Sequence, residues 1–585
     1  PLFTNNETNH ELLFGPKAKN RSRFVKDAFH RHLIHGEDCV NPQQFGTKAC
    51  IDYRFEVPPG ESAVVRLRLT NREMARPLAG VETAFQARRD EADEFYHSIQ
   101  PKTATADEKR VQRQALAGLL WSKQIYRFDV SKWLKGDNPE APPPASRAKI
   151  RNRHWQHLNS KRILSMPDKW EYPWYAAWDL GFHAISLSLI DPEFAKDQLK
   201  LFLREWYLHP NGQIPAYEWA FGDVNPPVHA WACWRVFQID ERFVGRADYA
   251  FLESVFHKLL LNFTWWVNRK DATGNNIFEG GFLGLDNIGV FDRSAPLPIP
   301  GYIEQSDGTS WMAMFCLNML KIALRLAEEV DPIYEDIASK FFEHFLYIAE
   351  AMNRLGGQGL WDDEDGFFYD SLRRPDGTAM TLRVQSMVGL IPLFAVETID
   401  ASAIEALPGF RRRMEWFLKN RPDLCANVAS LSREGEASRR LLSLVNRQRL
   451  VRILERMLNE TEFLSDHGVR ALSRRHRDEP FTIEWDGEEH RVDYEPGEST
   501  TVLFGGNSNW RGPVWFPLNY ILIEAFERYH QFYGDDLQVE CPTGSGVLMN
   551  LKQVANELRL RLSRLFLTSE SGGRPCYARG DRFVD

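Results

Sequence analysis

The sequence is short of the features that would set it apart from ordinary globular enzymes. Its 585 residues hold seven cysteines, at 39, 50, 233, 316, 425, 541 and 576, with no CxxC pair. Scattered and odd in number, they suggest neither a disulfide framework nor a zinc site, and they read as reduced thiols of a cytoplasmic protein. No apolar run reaches the roughly 18 residues of a membrane span, and no secretory signal opens the chain. Charge of one sign never gathers: 80 acids and 72 bases give a net of −8 without long blocks. A nucleic-acid or anionic-membrane face needs a local basic excess, so neither partner is expected. No sequence word recurs at fixed spacing, which weighs against the ordinary solenoids. The acid-rich "WDDEDG" at 361–366 matches no recognised calcium loop and sits in what reads as a β-turn. No metal and no cofactor is expected.

What the chain does have is aromatic surface. It carries 18 Trp and 12% aromatics at a mean hydropathy of −0.42. Flat rings pack cores, and they also stack on the apolar faces of sugars. At this length two or more units are expected, each with its own core. Residues 51–70, "IDYRFEVPPGESAVVRLRLT", alternate apolar and polar around Pro58-Pro59-Gly60, which predicts two strands and a turn. Residues 1–75 therefore read as the C-terminal part of a β-sandwich whose beginning is absent. A helical and Pro-rich linker follows over 76–150, and a helical domain over 151–585. Within that domain helices are predicted at 174–190, 192–208, 226–239, 247–268, 308–329, 332–354, 383–396, 402–419, 512–533 and 546–566. Paired helices over so long a stretch fit a solenoid or a closed toroid of hairpins. The stretch 463–501 reads as a long excursion over one rim.

Four loop clusters carry the chemistry. They are "WEYPWYAAWDLGFH" (170–183) with Trp178 and Asp179, and "GQIPAYEWAFGDVNPP" (212–227) with Tyr217, Glu218, Trp219 and Asp223. The third joins "EGGFLGLDNIGVFDRS" (279–294), with Asp286 and Asn287, to "YIEQSDGTSWM" (302–312). The last is "FGGNSNWRGPVWFPLNY" (504–520), with Trp510, Arg511 and Trp515. Acids and amides hydrogen-bond vicinal hydroxyls while rings cover apolar sugar faces, so the combination suits polyols. Each cluster also has a plain reading. Asp179 fits an N-cap, Glu218 and Asp223 solvated loop charges, Asp286-Asn287 a turn, and Trp510 and Trp515 core.

These stretches, with "VRALSRRH" and the opening "LFTNNETN", resemble glycoside hydrolase family 63 along nearly the whole chain. The resemblance implies a mainly α fold, an (α/α)6 toroid preceded by a β-sandwich, and hydrolysis of α-glycosidic bonds with inversion. It implies an oligosaccharide or small α-glycoside as substrate. On it, Asp286 corresponds to the general acid, Asp179 to a sugar-binding aspartate, and Trp510, Arg511 and Trp515 to the pocket lining. The family's general base is a glutamate further on, and no match for it precedes Asp585. That reads as a fragment cut at both ends, able to bind sugar without cleaving it. The alternative function is a non-catalytic carbohydrate-binding or scaffold protein on the same toroid.

Overall fold

A computed structural model describes residues 1–136, 138–139, 142–169, 173–269, 278, 283–285, 288–293, 295–353, 359–426, 428, 434–497, 512–570 and 572–577. The chain divides into two compact units, Pro1–His97 and Ser98–Asp585.

In the first unit the strand Leu2–Thr4 pairs antiparallel with Lys48–Cys50. Helices α1 (His10–Phe14) and α2 (Ala28–His35) lie between them, and α3 (Val81–Ile99) closes the unit. The two strands predicted over 51–70 do not form. Ile51, Phe55, Leu67 and Leu69 are exposed instead. The alternation is that of a half-buried sheet, but a two-stranded hairpin is marginal without a third strand or a helix to cover its apolar face. No described residue of this unit supplies that cover.

The second unit is mainly helical. Its helices are α4 (Ala106–Trp121), α5 (Val130–Lys135), α6 (Ala177–Leu187), α7 (Pro192–Phe202), α8 (His229–Val244) and α9 (Tyr249–Val267). They continue as α10 (Ser306–Glu329), α11 (Tyr334–Asn353), α12 (Ala401–Ala406), α13 (Pro408–Asn420), α14 (Pro422–Cys425), α15 (Arg447–Met457), α16 (Phe516–Tyr533) and α17 (Leu551–Arg564). Local chemistry sets many of their starts. Asp191 and Asp248 cap α7 and α9 by accepting the N–H groups of Phe194 and Phe251, and Asn550 with Gln553 forms a capping box on α17. The expected helix at 226–239 begins only at His229, because Pro226 and Pro227 precede it. The one at 383–396 tightens into a 3-10 turn over Met387–Phe394, which contains Pro392.

Neighbouring helices pack as hairpins, α6 on α7, α8 on α9, α10 on α11 and α16 on α17. The first members form an inner row: α6 packs on α8, α8 on α10, α10 on Met387–Phe394, and that turn on α16. The row closes into a toroid. Trp515 at the head of α16 meets Trp178 of α6. After α17, Arg574 pairs with Asp107 of α4, which itself packs on α6. Helix α10 is long and apolar enough for a membrane span, yet 89% of that stretch is buried among the other helices, as a core helix is. One continuous core fills the space between the helix layers. A smaller cluster of Trp155, Tyr175, Phe202, Tyr207 and Phe221 lies beside the antiparallel pair Lys123–Asp129 and Asn159–Ser165.

Candidate functional site

The inner helices α6, α8, α10 and α16 all begin at the same rim, and the described parts of the four loop clusters meet there. Ala177 N–H bonds Ala216 O at 2.7 Å and Leu283 N–H bonds Val224 O at 2.8 Å. Tyr217 bridges to Ala176. The Trp178 and Trp515 rings stand edge to face, 5.1 Å apart. Gly284 makes the closest approach. With φ +66°, a Cβ added there would lie 2.4 Å from Trp178 Cζ2, so only glycine lets the loop lie on that indole.

Asp179 is the third residue of α6. Its cap position is Ala176 and no side chain caps the helix, so the N-cap reading does not hold. Burial pushes its carboxyl up to about 7, countered in part by its own backbone N–H. One turn on, the same face carries His183, which burial holds down at about 4. Its Nδ1 lies 2.9 Å from Ser165 Oγ.

Trp178 is buried at 6% exposure, against Phe182 and Trp515. Behind it a cavity of about 40 Å³ is lined by Asp223, Asn225, His229 and Trp265 among others. That is room for water and not for a sugar ring.

The second cluster splits. Tyr217 and Asp223 stay at the rim, while Glu218 turns to hydrogen-bond Tyr126 and face Arg151. Burial raises the Glu218 pKa, and both neighbours oppose the rise. Trp219 is exposed, with the Arg151 guanidinium 3.3 Å over its ring. Glu218 and Trp219 form the tight turn between Tyr217 and Ala220, which pair across it. Their side chains engage Tyr126 and Arg151, while the Glu218 N–H reaches Tyr175 O at 3.4 Å.

Asp286, Asn287, Trp510 and Arg511 lie outside the described residues. The flanks of position 286 are apolar and buried: Leu283, Leu285 and Ile288 are each at most 1% exposed. Beyond them stands an ion cluster that the sequence reading missed. Arg293 forks onto Asp307 at 2.9 and 2.5 Å and reaches Leu285 O at 3.5 Å. Asp307 is fully buried in the first turn of α10. Asp370 accepts the Ser306 N–H at the head of the same helix, at 2.8 Å. Burial pushes Asp370 up to about 6; Arg293 opposes that rise and Asp307 adds to it. The sequence signal for Asp370 was slight: one acid between Tyr369 and Ser371 on a short strand. The rim thus sets two carboxyls, Asp179 and Asp370, to titrate near neutrality beside aromatic walls.

Residues 172–282 match the family profile of the mannosylglycerate hydrolase MGH1-like glycoside hydrolase domain. Over that stretch the chain is similar to a glycoside hydrolase domain. The matched stretch holds Trp178, Asp179 and the whole 212–227 loop, and it ends just before Leu283. Over 600 residues the chain is 52% identical to the uncharacterized protein YMR196W of Saccharomyces cerevisiae, covering 98% of this chain and 55% of that protein. It therefore spans little more than half the length of that relative. Among solved structures, the GH63 mannosylglycerate hydrolase from Thermus thermophilus in complex with glucose superposes at a TM-score of 0.38 and 16% identity, over 68% of this chain and 96% of that one. The neutral trehalase Nth1 from Saccharomyces cerevisiae superposes at 0.44 and 13%, over 78% and 87%. Both superpositions are partial.

Proposed function

We propose that this toroid is the catalytic domain of a glycosidase that cleaves α-glucosidic or related α-glycosidic bonds with inversion, on an oligosaccharide or small α-glycoside. The observation that carries the reading is the meeting, at one rim of a GH63-like domain, of Trp178 and Asp179 with the loop that flanks residue 286. In this reading Asp286 is the general acid. Its buried apolar neighbours Leu283, Leu285 and Ile288 disfavour the charged form, which keeps a carboxyl protonated near neutral pH. Asp179 and Asn287 bind sugar hydroxyls, Trp178 and Trp515 wall the pocket, and Tyr217, Trp510 and Arg511 complete it. Glu218 and Trp219, turned toward Tyr126 and Arg151, drop out of the sugar contacts. Inversion also needs an ionised carboxylate about 6.5–9.5 Å from the acid to activate water.

The test is to incubate the protein with α- and β-linked glucosides and mannosides and follow the released sugar by proton NMR before it mutarotates. The β-anomer appearing first from an α-glycoside supports the reading, and the α-anomer appearing first contradicts it. Saturable binding of a monosaccharide inhibitor with no turnover of any α-glycoside would favour a carbohydrate-binding role.

A further inference from the structure

The antiparallel pair Lys123–Asp129 and Asn159–Ser165 leaves part of a strand edge uncovered. In its register Arg127 stands opposite Lys161 and Ile125 opposite Ile163. Just beyond the two ends of the ladder, Val130 N–H donates to Leu158 O and Met166 N–H to Ser122 O. Bonded pairs alternate along such a ladder, so Ser160, Arg162 and Leu164 turn their backbone to the partner strand. Asn159, Lys161, Ile163 and Ser165 turn theirs outward. At the two ends the outward groups are taken. Asn159 N–H donates to Trp206 O at 3.2 Å, Gln198 Nε2 donates to Ile163 O at 3.0 Å, and Ser165 N–H donates to Gln198 Oε1 at 3.1 Å. Between them the Lys161 N–H and C=O and the Ile163 N–H have no hydrogen-bond partner among the described residues.

This open stretch borders a groove of about 680 Å³, formed by the strand, α7 and the residues that follow α7. Ile163, Phe194, Leu201 and Trp206 give it an apolar lining, with the Trp206 side chain 38% exposed. Its charge is mostly positive. Lys161, Arg162, Lys200 and Arg204 line it against one carboxylate, Asp197, which lies 3.6 Å from Lys200. The acids around the groove are engaged: Glu205 with Lys258 at 2.5 Å, while also feeling Arg204, Asp191 with Lys123, and Glu193 and Asp248 with Lys196. Asp248 also feels Lys200, and Arg162 faces the Tyr207 phenol. Lys161, Arg162 and Arg204 are thus left without a carboxylate in ion-pair reach among the described residues. Even with Glu205 and Lys258 counted in, five cations stand against two carboxylates, in a chain whose net charge is −8.

We infer that this groove docks an extended acidic segment of a partner protein, which adds a strand beside Asn159–Ser165. Main-chain bonds to Lys161 and Ile163 set its register, because an open edge offers donors and acceptors to any extended chain. Its Asp and Glu side chains meet Lys161, Arg162 and Arg204 in charge-assisted bonds, and an apolar side chain covers Trp206 and Leu201. Cations along an edge deter indiscriminate strand pairing; here they admit a segment of opposite charge.

The experiment titrates the whole protein into a fluorescein-labelled heptapeptide of alternating glutamate and valine and reads its anisotropy. The controls are the same peptide with lysine for glutamate, and two versions of the acidic peptide, N-methylated at the glutamates or at the valines. The acidic peptide should bind saturably and the lysine peptide should not. One methylated version should bind at least tenfold more weakly than the parent, since only alternate amides of a strand face its neighbour. Equal binding of the acidic and lysine peptides, or binding of neither, would overturn the proposal. Two methylated versions that bind like the parent would overturn strand addition, and none of these arms needs a variant to fold. Arg162→Glu should weaken the acidic peptide at least tenfold, and unchanged affinity in the folded variant would overturn the site as drawn. Self-association of the protein that the acidic peptide reverses would give the groove to a second copy of this chain and overturn the partner reading.

Discussion

The two ends of the toroid treat charge differently. At the rim, where inner helices begin, carboxyls gather: Asp179 in the first turn of α6, and Asp307 and Asp370 at the head of α10. At the far end, around a cavity of about 410 Å³, Arg235, Lys321, Arg325 and Arg528 stand among the carboxylates Glu328, Glu397, Glu524 and Glu527. Asp179 lies where a helix dipole favours an anion, whereas none of the four far-end cations lies in the last turn of its helix. Burial works against the charged forms at both ends. It lifts Asp179 to about 7 and Asp370 to about 6, and lowers Lys321 to about 8. A desolvation cost of several kcal/mol per buried ion exceeds the roughly 0.3–1 kcal/mol that a dipole supplies. The fold therefore holds groups able to exchange protons near neutrality at each end, acids at the rim where sugar chemistry is proposed and a lysine at the far end.

The largest expected effect falls on the rim's ion cluster. Arg293→Ala leaves Asp307 buried without its fork and should cost about 3–5 kcal/mol of unfolding free energy, read by urea denaturation. A loss below about 1 kcal/mol would mean that the pair does not organise the loop.

Asp179 comes next. Its folded pKa of about 7 stands above the ordinary aspartate value of 3.8, so the native state binds the proton more tightly. The stability this gives is complete below about pH 4 and is lost as pH rises through 7. Asp179→Asn removes that loss, so the variant should melt above wild type at pH 8 and close to it at pH 4. It should also weaken a monosaccharide inhibitor by about 2 kcal/mol. A variant that melts lower at pH 8 and keeps its inhibitor affinity would assign Asp179 a purely structural role.

At the far end the sign reverses. Lys321 is depressed from 10.5 to about 8, so the unfolded chain holds the extra proton between those values and stability contributed by this site rises with pH across them. Relative to Lys321→Met, the wild-type protein should gain stability from pH 8 to pH 10. A flat difference would show that burial does not govern that ammonium. The smallest effect belongs to Trp219→Ala, which removes an exposed cation–π contact with Arg151 and should change stability by about 1 kcal/mol or less and leave turnover unaltered. A large loss of turnover would return Trp219 to the sugar site.

The helices were legible because each writes its own period. The stretch 247–268 became α9, Tyr249–Val267, with Asp248 as a visible cap. The predicted turn at 361–366 became a hairpin between Trp361–Asp362 and Phe367–Phe368. Of the site, the bunching of tryptophan with acid marked the rim loops. What it could not mark was side. Glu218 turns out to engage Tyr126 and Arg151, and Arg293, Asp307 and Asp370 come from three segments that only folding joins. The alternation at 51–70 misled for a related reason: period 2 states which face wants cover, and cover is a tertiary fact. The far-end cavity is assembled from residues up to some 300 positions apart, beyond the reach of any local pattern.

The central claim, that Asp286 donates the proton to the leaving group, is tested most directly by comparing leaving groups. Asp286→Asn should lower kcat by several orders of magnitude on an unactivated α-disaccharide. It should lower kcat far less on a nitrophenyl or fluoride α-glycoside, which leaves with little protonation. Equal losses on both substrates would contradict the account.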